Sequence, residues 1–167
     1  MMKISDKGFT LLEMILTVVV VAALAVVAVP SFNTMIDRNI VKSQATELLS
    51  SIALTRSEAI RRESIVIIRR QGTWAARWYI YNDINNNNSY SGPNGVDGPR
   101  IFDNIQTNNR ATITGSGNMG TSIRYNSRGL ANLTPTTDFL TVSKDGISSN
   151  ICFSAIGLAY IQQSTCL

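Results

Sequence analysis

The strongest constraint on this chain lies near its start. Between Phe9 and Val29, 18 of 21 residues are apolar, and the exceptions are Thr10, Glu13 and Thr17. As a helix this run would extend about 31 Å, the thickness of a bilayer's hydrocarbon core. The remaining 146 of the 167 residues have an ordinary apolar content. A chain divided in this way reads as one apolar helix followed by one domain of soluble composition. Lys3 and Lys7 precede the run, which favours an N-terminus in the cytoplasm and the bulk of the chain outside. A cleaved secretory signal with a cut after Ala23-Leu24-Ala25 is the simpler alternative. Against it, the sequence stays apolar past that site, through Val26, Val27, Ala28 and Val29.

Composition removes several chemistries. With no histidine, there is no imidazole base and no Ser-His or Cys-His nucleophile pair. Two cysteines without histidine cannot complete a structural zinc site. Asp83, Asp97, Asp103, Asp138 and Asp145 show no spacing that pairs them for acid–base work, so the chain is not read as an enzyme. The formal charge of +4 is mild, and no run of Lys or Arg exceeds two residues. Strong charge-driven binding of nucleic acid is therefore not announced.

Glu13 stands five residues into the apolar run, where an ionised carboxylate costs about 2.5–3.5 kcal/mol or more. It calls for snorkelling to the interface or for a cation close by. An α-amino group freed by a cut just before Phe9 would supply one. The stretch Lys7-Gly8-Phe9-Thr10-Leu11-Leu12-Glu13 resembles the class III signal of type IV pilins and type II secretion pseudopilins. That resemblance implies cleavage between Gly8 and Phe9 by a prepilin peptidase, and N-methylation of Phe9 by the same enzyme. It implies that Glu13 pairs with the N-terminal amine of a neighbouring subunit during assembly. Pro30 falls where pilins carry a helix-kinking proline; it lacks an N–H and clashes with the preceding turn.

From Ser31 to Glu63 no Gly or Pro interrupts a helical pattern. Phe32, Ile36 and Ile40 begin an apolar stripe, continued by Val41, Ala45, Leu48, Leu49, Ile52, Ala53, Ala59 and Ile60. From Ser64 onward Asn, Ser and Thr supply 34 of 104 residues and charges only 13. Short β-like runs appear at Ser64–Arg69, Thr73–Tyr81, Arg100–Ile105, Ala111–Thr114, Ser122–Asn126, Phe139–Ser143, Ile151–Ser154 and Leu158–Ile161. Arg70-Gln71-Gly72 reads as the first hairpin turn. The expected fold is α+β and pilin-like: a long N-terminal helix, half transmembrane and half amphipathic, packed on a mostly antiparallel β head of two small sheets. The expected divisions are a leader at 1–8, a membrane and filament-core helix at 9–29, an amphipathic helix at 30–63 and the head at 64–167.

Thr55-Arg56-Ser57-Glu58-Ala59-Ile60-Arg61-Arg62 resembles the end of the long helix in the GspH/FimT/FimU group. Trp74, Trp78-Tyr79-Ile80 and Asp83 with its Asn-rich loop are similar to that group's first hairpin, although Ser89 and Ala76-Arg77 replace glycines there. Cys152 and Cys166 form an even pair in a chain expected to leave the cytoplasm, so a disulfide is expected. It would close a loop of about 15 residues, worth roughly 3 kcal/mol. The pair leans towards the FimU-like members.

Asp83, Asn85 and Asn87 alternate as in the opening of a calcium loop, but Asn88 and Asn94 stand where that loop needs Gly and Glu. A polar turn of left-handed Asn residues is the stronger reading. Some FimT-like pilins capture DNA through a Gly-Arg-x-Arg motif; the matching stretch here, Gly157-Leu158-Ala159-Tyr160, has neither arginine. Arg69, Arg70, Trp74 and Arg77 remain as a weak DNA patch, against which a solvated hairpin edge with core tryptophans is the stronger reading.

The resemblance implies a minor pilin that initiates pilus assembly or joins a tip complex to the shaft. The alternatives are a DNA-binding minor pilin and a type II secretion pseudopilin. The implied partners are other major and minor pilins, the prepilin peptidase and an inner-membrane assembly platform. The implied location is the bacterial inner membrane with the head in the periplasm, then the pilus or pseudopilus. No cofactor or metal is called for. Removal of residues 1–8 would leave thirteen basic and ten acidic side chains, which weakens the electrostatic case for DNA.

Overall fold

In the computed structural model, residues 8–105, 111–134 and 137–166 are described, apart from the side chains of residues 26–31. The chain divides into two units, 1–36 and 37–167. Helix α1, Leu11–Arg61, runs through both and includes Pro30, whose expected kink lies outside the described side chains. Among the described residues no helix is long and apolar enough to cross a membrane. The end of the apolar run, Val26–Val29, is not among the described side chains.

In the first unit the helix begins on a reciprocal cap. The Thr10 hydroxyl accepts from the Glu13 N–H at 3.2 Å, and the Thr10 N–H donates to Glu13 Oε2 at 2.9 Å. This is a capping box, which satisfies backbone donors that the first turn cannot pair internally. Beyond it, Leu11, Leu12, Met14, Ile15 and Leu16 are exposed, as are Phe32, Met35 and Ile36 further on.

The second unit is built on the amphipathic half of α1. Val41, Ala45, Leu48, Ile52, Thr55 and Ala59, spaced three and four apart, are all buried. They pack on two four-stranded sheets. The first has the order β3-β2-β1-β5 and the second β4-β6-β7-β8, with every pairing antiparallel. The strands are β1 Val66–Arg70, β2 Arg77–Asn82, β3 Phe102–Ile105, β4 Thr112–Gly115, β5 Ser122–Tyr125, β6 Leu140–Lys144, β7 Ile147–Phe153 and β8 Ala159–Gln162. One core joins the helix to Val66, Ile68, Trp78 and Ile80 of the first sheet and to Leu140, Val142, Ile151 and Phe153 of the second. Trp78 is fully buried and donates its indole N–H to Ser51 Oγ at 3.0 Å. The expected α+β architecture is the one found.

Four local differences have physical causes. The expected stripe was too wide: Ala53 and Ile60 stay exposed, because the sheets cover only the row through Val41 and Ala59. The strand expected at Thr73 starts at Arg77, since Thr73–Ala76 forms a turn closed by N–H bonds from Ala76 and Arg77 to the Thr73 carbonyl. β7 begins four residues early, at Ile147, because Asp145-Gly146 makes a two-residue turn with φ of 48° and 82°. Two positive φ values match the twist of a hairpin, and Asp-Gly is a favoured pair for them. The helix ends at Arg61 rather than Glu63, in a Schellman closure: Ser64 N–H donates to the Ala59 carbonyl and Glu63 N–H to that of Ile60. Glu63 occupies the left-handed position at φ 50°, where glycine is the usual residue.

Gln44 lies on the buried side of α1, and neither its amide oxygen nor its nitrogen has a partner. A buried polar group without a hydrogen bond costs about 1–3 kcal/mol. Gln44→Leu is therefore expected to raise the thermal midpoint of the purified full chain. Glu63→Gly should raise it too, by removing about 1 kcal/mol of left-handed strain. A fall in midpoint for both variants would contradict this account of the helix.

Candidate assembly site and head surface

Gly8, Phe9 and Thr10 precede the first helical residue. A Cβ at Gly8 would meet nothing within 4 Å, so nothing in the chain's own packing requires glycine there. Phe9 is 89% exposed. Glu13 accepts from both the N–H and the hydroxyl of Thr10, in each case through Oε2. The capping role was missed in reading the sequence, although Thr10-Leu11-Leu12-Glu13 carries the Thr-x-x-Glu signature.

Three arginines of the head, Arg69, Arg100 and Arg124, hold a loop. Residues 83–98 connect β2 towards β3 and are fastened to the face of the first sheet that carries Ile67, Tyr79 and Tyr81. Arg69 donates to the Asn88 carbonyl at 2.7 Å. Arg124 donates to the Asn86 side-chain oxygen and stands 3.8 Å from Asp83. Arg100 lies 3.9 Å from the centre of the Tyr79 ring and 5.1 Å from that of Tyr90. Asp103 accepts from Arg77 through both oxygens, at 2.8 and 2.5 Å, and from Arg100 at 2.6 Å. These bonds, chiefly those from Arg77, hold the Asp103 carboxyl below the ordinary carboxylate range. Tyr81 is buried beneath this loop, and burial pushes its hydroxyl up to about 12.

Inside the loop, the two buried aspartates organise backbone. Asp83 accepts from the N–H groups of Asn87 and Asn88, each at 3.1 Å. Asp97 accepts from the N–H of Ile84 and from the N–H and hydroxyl of Ser91. Asn86 and Asn88 take left-handed conformations, φ 58° and 56°. The calcium-like spacing thus builds an Asn-rich turn, as its composition favours. Among the described residues no group of three or more acidic, His or Cys side chains gathers to hold a metal.

The residues of the suggested DNA patch do not form one surface. Trp74 is 1% exposed and donates its indole N–H to the Met119 carbonyl at 2.9 Å, so it offers no face for a base to stack on. Arg69 and Arg70, consecutive on β1, point to opposite faces of the sheet. Arg69 is bound to the loop, Arg77 to Asp103, and Arg70 donates to the Gly72 carbonyl. Alternation had put Trp74 on a strand; it lies in the turn at Thr73–Ala76, and its indole is buried as the reading of core tryptophans expects.

Cys152 and Cys166 are joined in a disulfide with their Cα atoms 5.5 Å apart. Cys152 lies on β7 opposite Tyr160 of β8, and the bridge draws the C-terminal tail back to β7. Asn150 supports the tail by donating to the Ser164 carbonyl at 2.9 Å. The turn before β8 depends on Gly157, whose φ is 76°, and a Cβ there would lie 2.8 Å from the Ala131 nitrogen. The Tyr125 hydroxyl donates to the Gly157 carbonyl at 2.8 Å.

A family profile described as type II transport protein GspH matches residues 44–157. The chain belongs to the GspH family. A second profile, the prokaryotic N-terminal methylation motif, matches residues 4–29. Among solved structures, two crystal forms of the type IV minor pilin FimU from Pseudomonas aeruginosa share the fold. One matches at 15% identity and TM-score 0.55, covering 72% of this chain and 91% of that one. The other matches at 17% identity and TM-score 0.56, covering 76% and 90%. No curated protein sequence matches the chain. GspH-family proteins are structural subunits of the pilin class, and this chain is one of them rather than an enzyme.

Two outcomes follow for this GspH-family head. Trp74→Ala removes a buried indole and should lower stability by about 3–5 kcal/mol in denaturant unfolding. The depressed Asp103 stabilises above the unfolded carboxylate value of about 4 and loses that contribution as pH falls below it. The thermal midpoint should therefore drop on acidification below about pH 4, and drop less in Asp103→Asn; equal acid sensitivity in the two proteins would remove Asp103 from the account.

Proposed function

We propose that the chain is a minor type IV pilin that helps initiate a pilus or joins a tip complex to its shaft. The observation that carries this reading is a methylation-type signal at residues 4–29 followed by a GspH head with the fold of FimU. Its partners are then major and minor pilins, the prepilin peptidase and an inner-membrane assembly platform. The peptidase cuts between Gly8 and Phe9 and methylates the new Phe9 amine. Phe9–Val29 then anchors the subunit in the inner membrane, head in the periplasm, until it enters the filament. The exposed Leu11, Leu12, Met14 and Ile15 support this, since such a surface belongs against lipid or other apolar helices. Pro30 lies where that helix would leave the membrane.

A pseudopilin of type II secretion is the second reading, favoured by the description of the matched family. DNA capture receives no comparable support, because Trp74 is buried and Arg69, Arg77, Arg100 and Arg124 are engaged within the head.

Mass spectrometry of the envelope protein should find an N-methylated chain starting at Phe9; any other start would remove the pilin reading. Glu13→Gln separates two roles of one side chain, because glutamine also completes a capping box. If the charge pairs with a neighbour's amine, Glu13→Gln should insert normally and fail to enter filaments. Wild-type incorporation would leave Glu13 as a cap alone. A clean deletion scored for twitching and for protein secretion decides between pilus and pseudopilus.

A further inference from the structure

The apolar stripe of α1 is wider than the sheets cover, and its uncovered edge lines a groove. Ala53, Arg56 and Ile60 form one wall, and Tyr125, Gly157 and Leu158 the other, around a cavity of about 270 Å³. Its surroundings are apolar and open: Ile60 and Leu158 on its walls are exposed, as is Ile161, which shares the Ala159 face of β8. Singly such residues are ordinary; gathered on one side of a head they mark an interaction surface.

β8 forms the rim of the second sheet beside this groove. The Ser154 N–H bonds to the Leu158 carbonyl, which fixes the alternation along the hairpin. Leu158, Tyr160 and Gln162 turn their backbone groups towards β7, so Ala159 and Ile161 turn theirs outward. Edges are ordinarily guarded by charge, bulges or cover. β3 carries Asp103 with its two arginines, and β5 is bridged by Ala131. β4 has Arg70, Lys144 and Asp145 around it. β8 has no such guard, and residues 147–167 contain no charged side chain at all. The disulfide returns the tail to β7, not along the free edge.

Arg56 supplies the charge selectivity. Its Nε donates to the Gly129 carbonyl at 2.9 Å, and among the described residues it has no carboxylate partner. A guanidinium on the wall of an apolar groove favours a carboxylate that binds it in fork geometry. A second copy pairing β8 with β8 would bring none, because its hairpin is uncharged.

We propose that β8 and this groove seat an extended strand of a different pilin-class subunit, one with apolar side chains at alternate positions and a carboxylate for Arg56. The strand adds to the second sheet, sends its apolar residues into the groove and meets Arg56 at its end. The proposal rests on the reading of the chain as a filament subunit and specifies its lateral partner.

The test uses the full-length chain in bacterial membranes, co-expressed in turn with each pilin-class chain of the same cell. A photo-reactive amino acid replaces Leu158, or Thr114 on the β4 edge as control. Irradiation should link the Leu158 probe to a different pilin-class chain, at a segment containing Asp or Glu, with little product from Thr114. Ile161→Lys should cut that yield about tenfold by guarding the edge. Arg56→Gln should also lower it, and Arg56→Lys should restore part of it. The thermal midpoint and the Cys152–Cys166 bridge must be unchanged in each variant counted. Links only between identical copies, links only to lipid, no link, equal links from Thr114, or a yield indifferent to Ile161→Lys would each overturn the proposal. A chain that starts at methylated Phe9 and enters filaments but gives no link loses only this docking site. A chain that starts elsewhere loses the pilin reading itself.

Discussion

The two sheets of the head form no hydrogen bonds to each other through their strands; what they share is the buried row of α1 from Val41 to Ala59. Each large apolar side chain in that row contributes about 1.5–3 kcal/mol by leaving water. The row mixes small residues, Ala45, Thr55 and Ala59, with large ones, Val41, Leu48 and Ile52. Thr55 and Ser51 are tolerated inside because each hydroxyl donates to a helix carbonyl four residues back. Ser51 then has an oxygen to offer the Trp78 indole, which ties the first sheet to the helix by a directional bond as well as by burial. Gln44 breaks this pattern, since both polar atoms of its amide are buried without a partner.

Electrostatics acts on a second layer. The face of the first sheet turned away from the helix carries tyrosines, and a long polar loop would not stay on them through apolar contact alone. Three arginines, from β1, β5 and the loop's end, provide the fastening, by bonds to loop oxygens and by contact with aromatic rings. Those three arginines are thus used within the fold rather than displayed.

Much of this was legible. Each of the eight strands lies on or beside a run marked by alternation and bounded by Gly, Asn or Pro, and the two-sheet α+β plan follows from the absence of βαβ order. The disulfide was expected from an even cysteine count in a chain read as leaving the cytoplasm. The errors came where two local signals overlapped. Trp74 continues the alternation of β2, yet it lies in the Thr73–Ala76 turn outside the strand, where its indole is buried against the Met119 carbonyl. Asp145-Gly146 is a strong hairpin signal, but Ile147-Ser148-Ser149 is too polar to announce a strand by hydrophobicity alone. The width of the helix stripe was not readable, because one sequence cannot say which of two adjacent apolar rows meets its own sheets. Ala53 and Ile60 belong to the row left over.

Glu13 can serve the helix and a neighbouring subunit with one side chain. As a charge in an apolar run, it calls for snorkelling to the interface or for a cation close by, which the proposed pairing with a neighbour's amine would supply. In the structure it already has a partner within the chain, since Thr10 gives its carboxylate two hydrogen bonds. Both fall on Oε2, which leaves Oε1 with its lone pairs available. Helix capping and recognition of a neighbour's cation therefore do not compete for the same atom. The cap also fixes the carboxylate beside the helix N-terminus, where the backbone dipole favours negative charge. A carboxylate oriented before its partner arrives loses less entropy when a cation binds than a freely rotating one would.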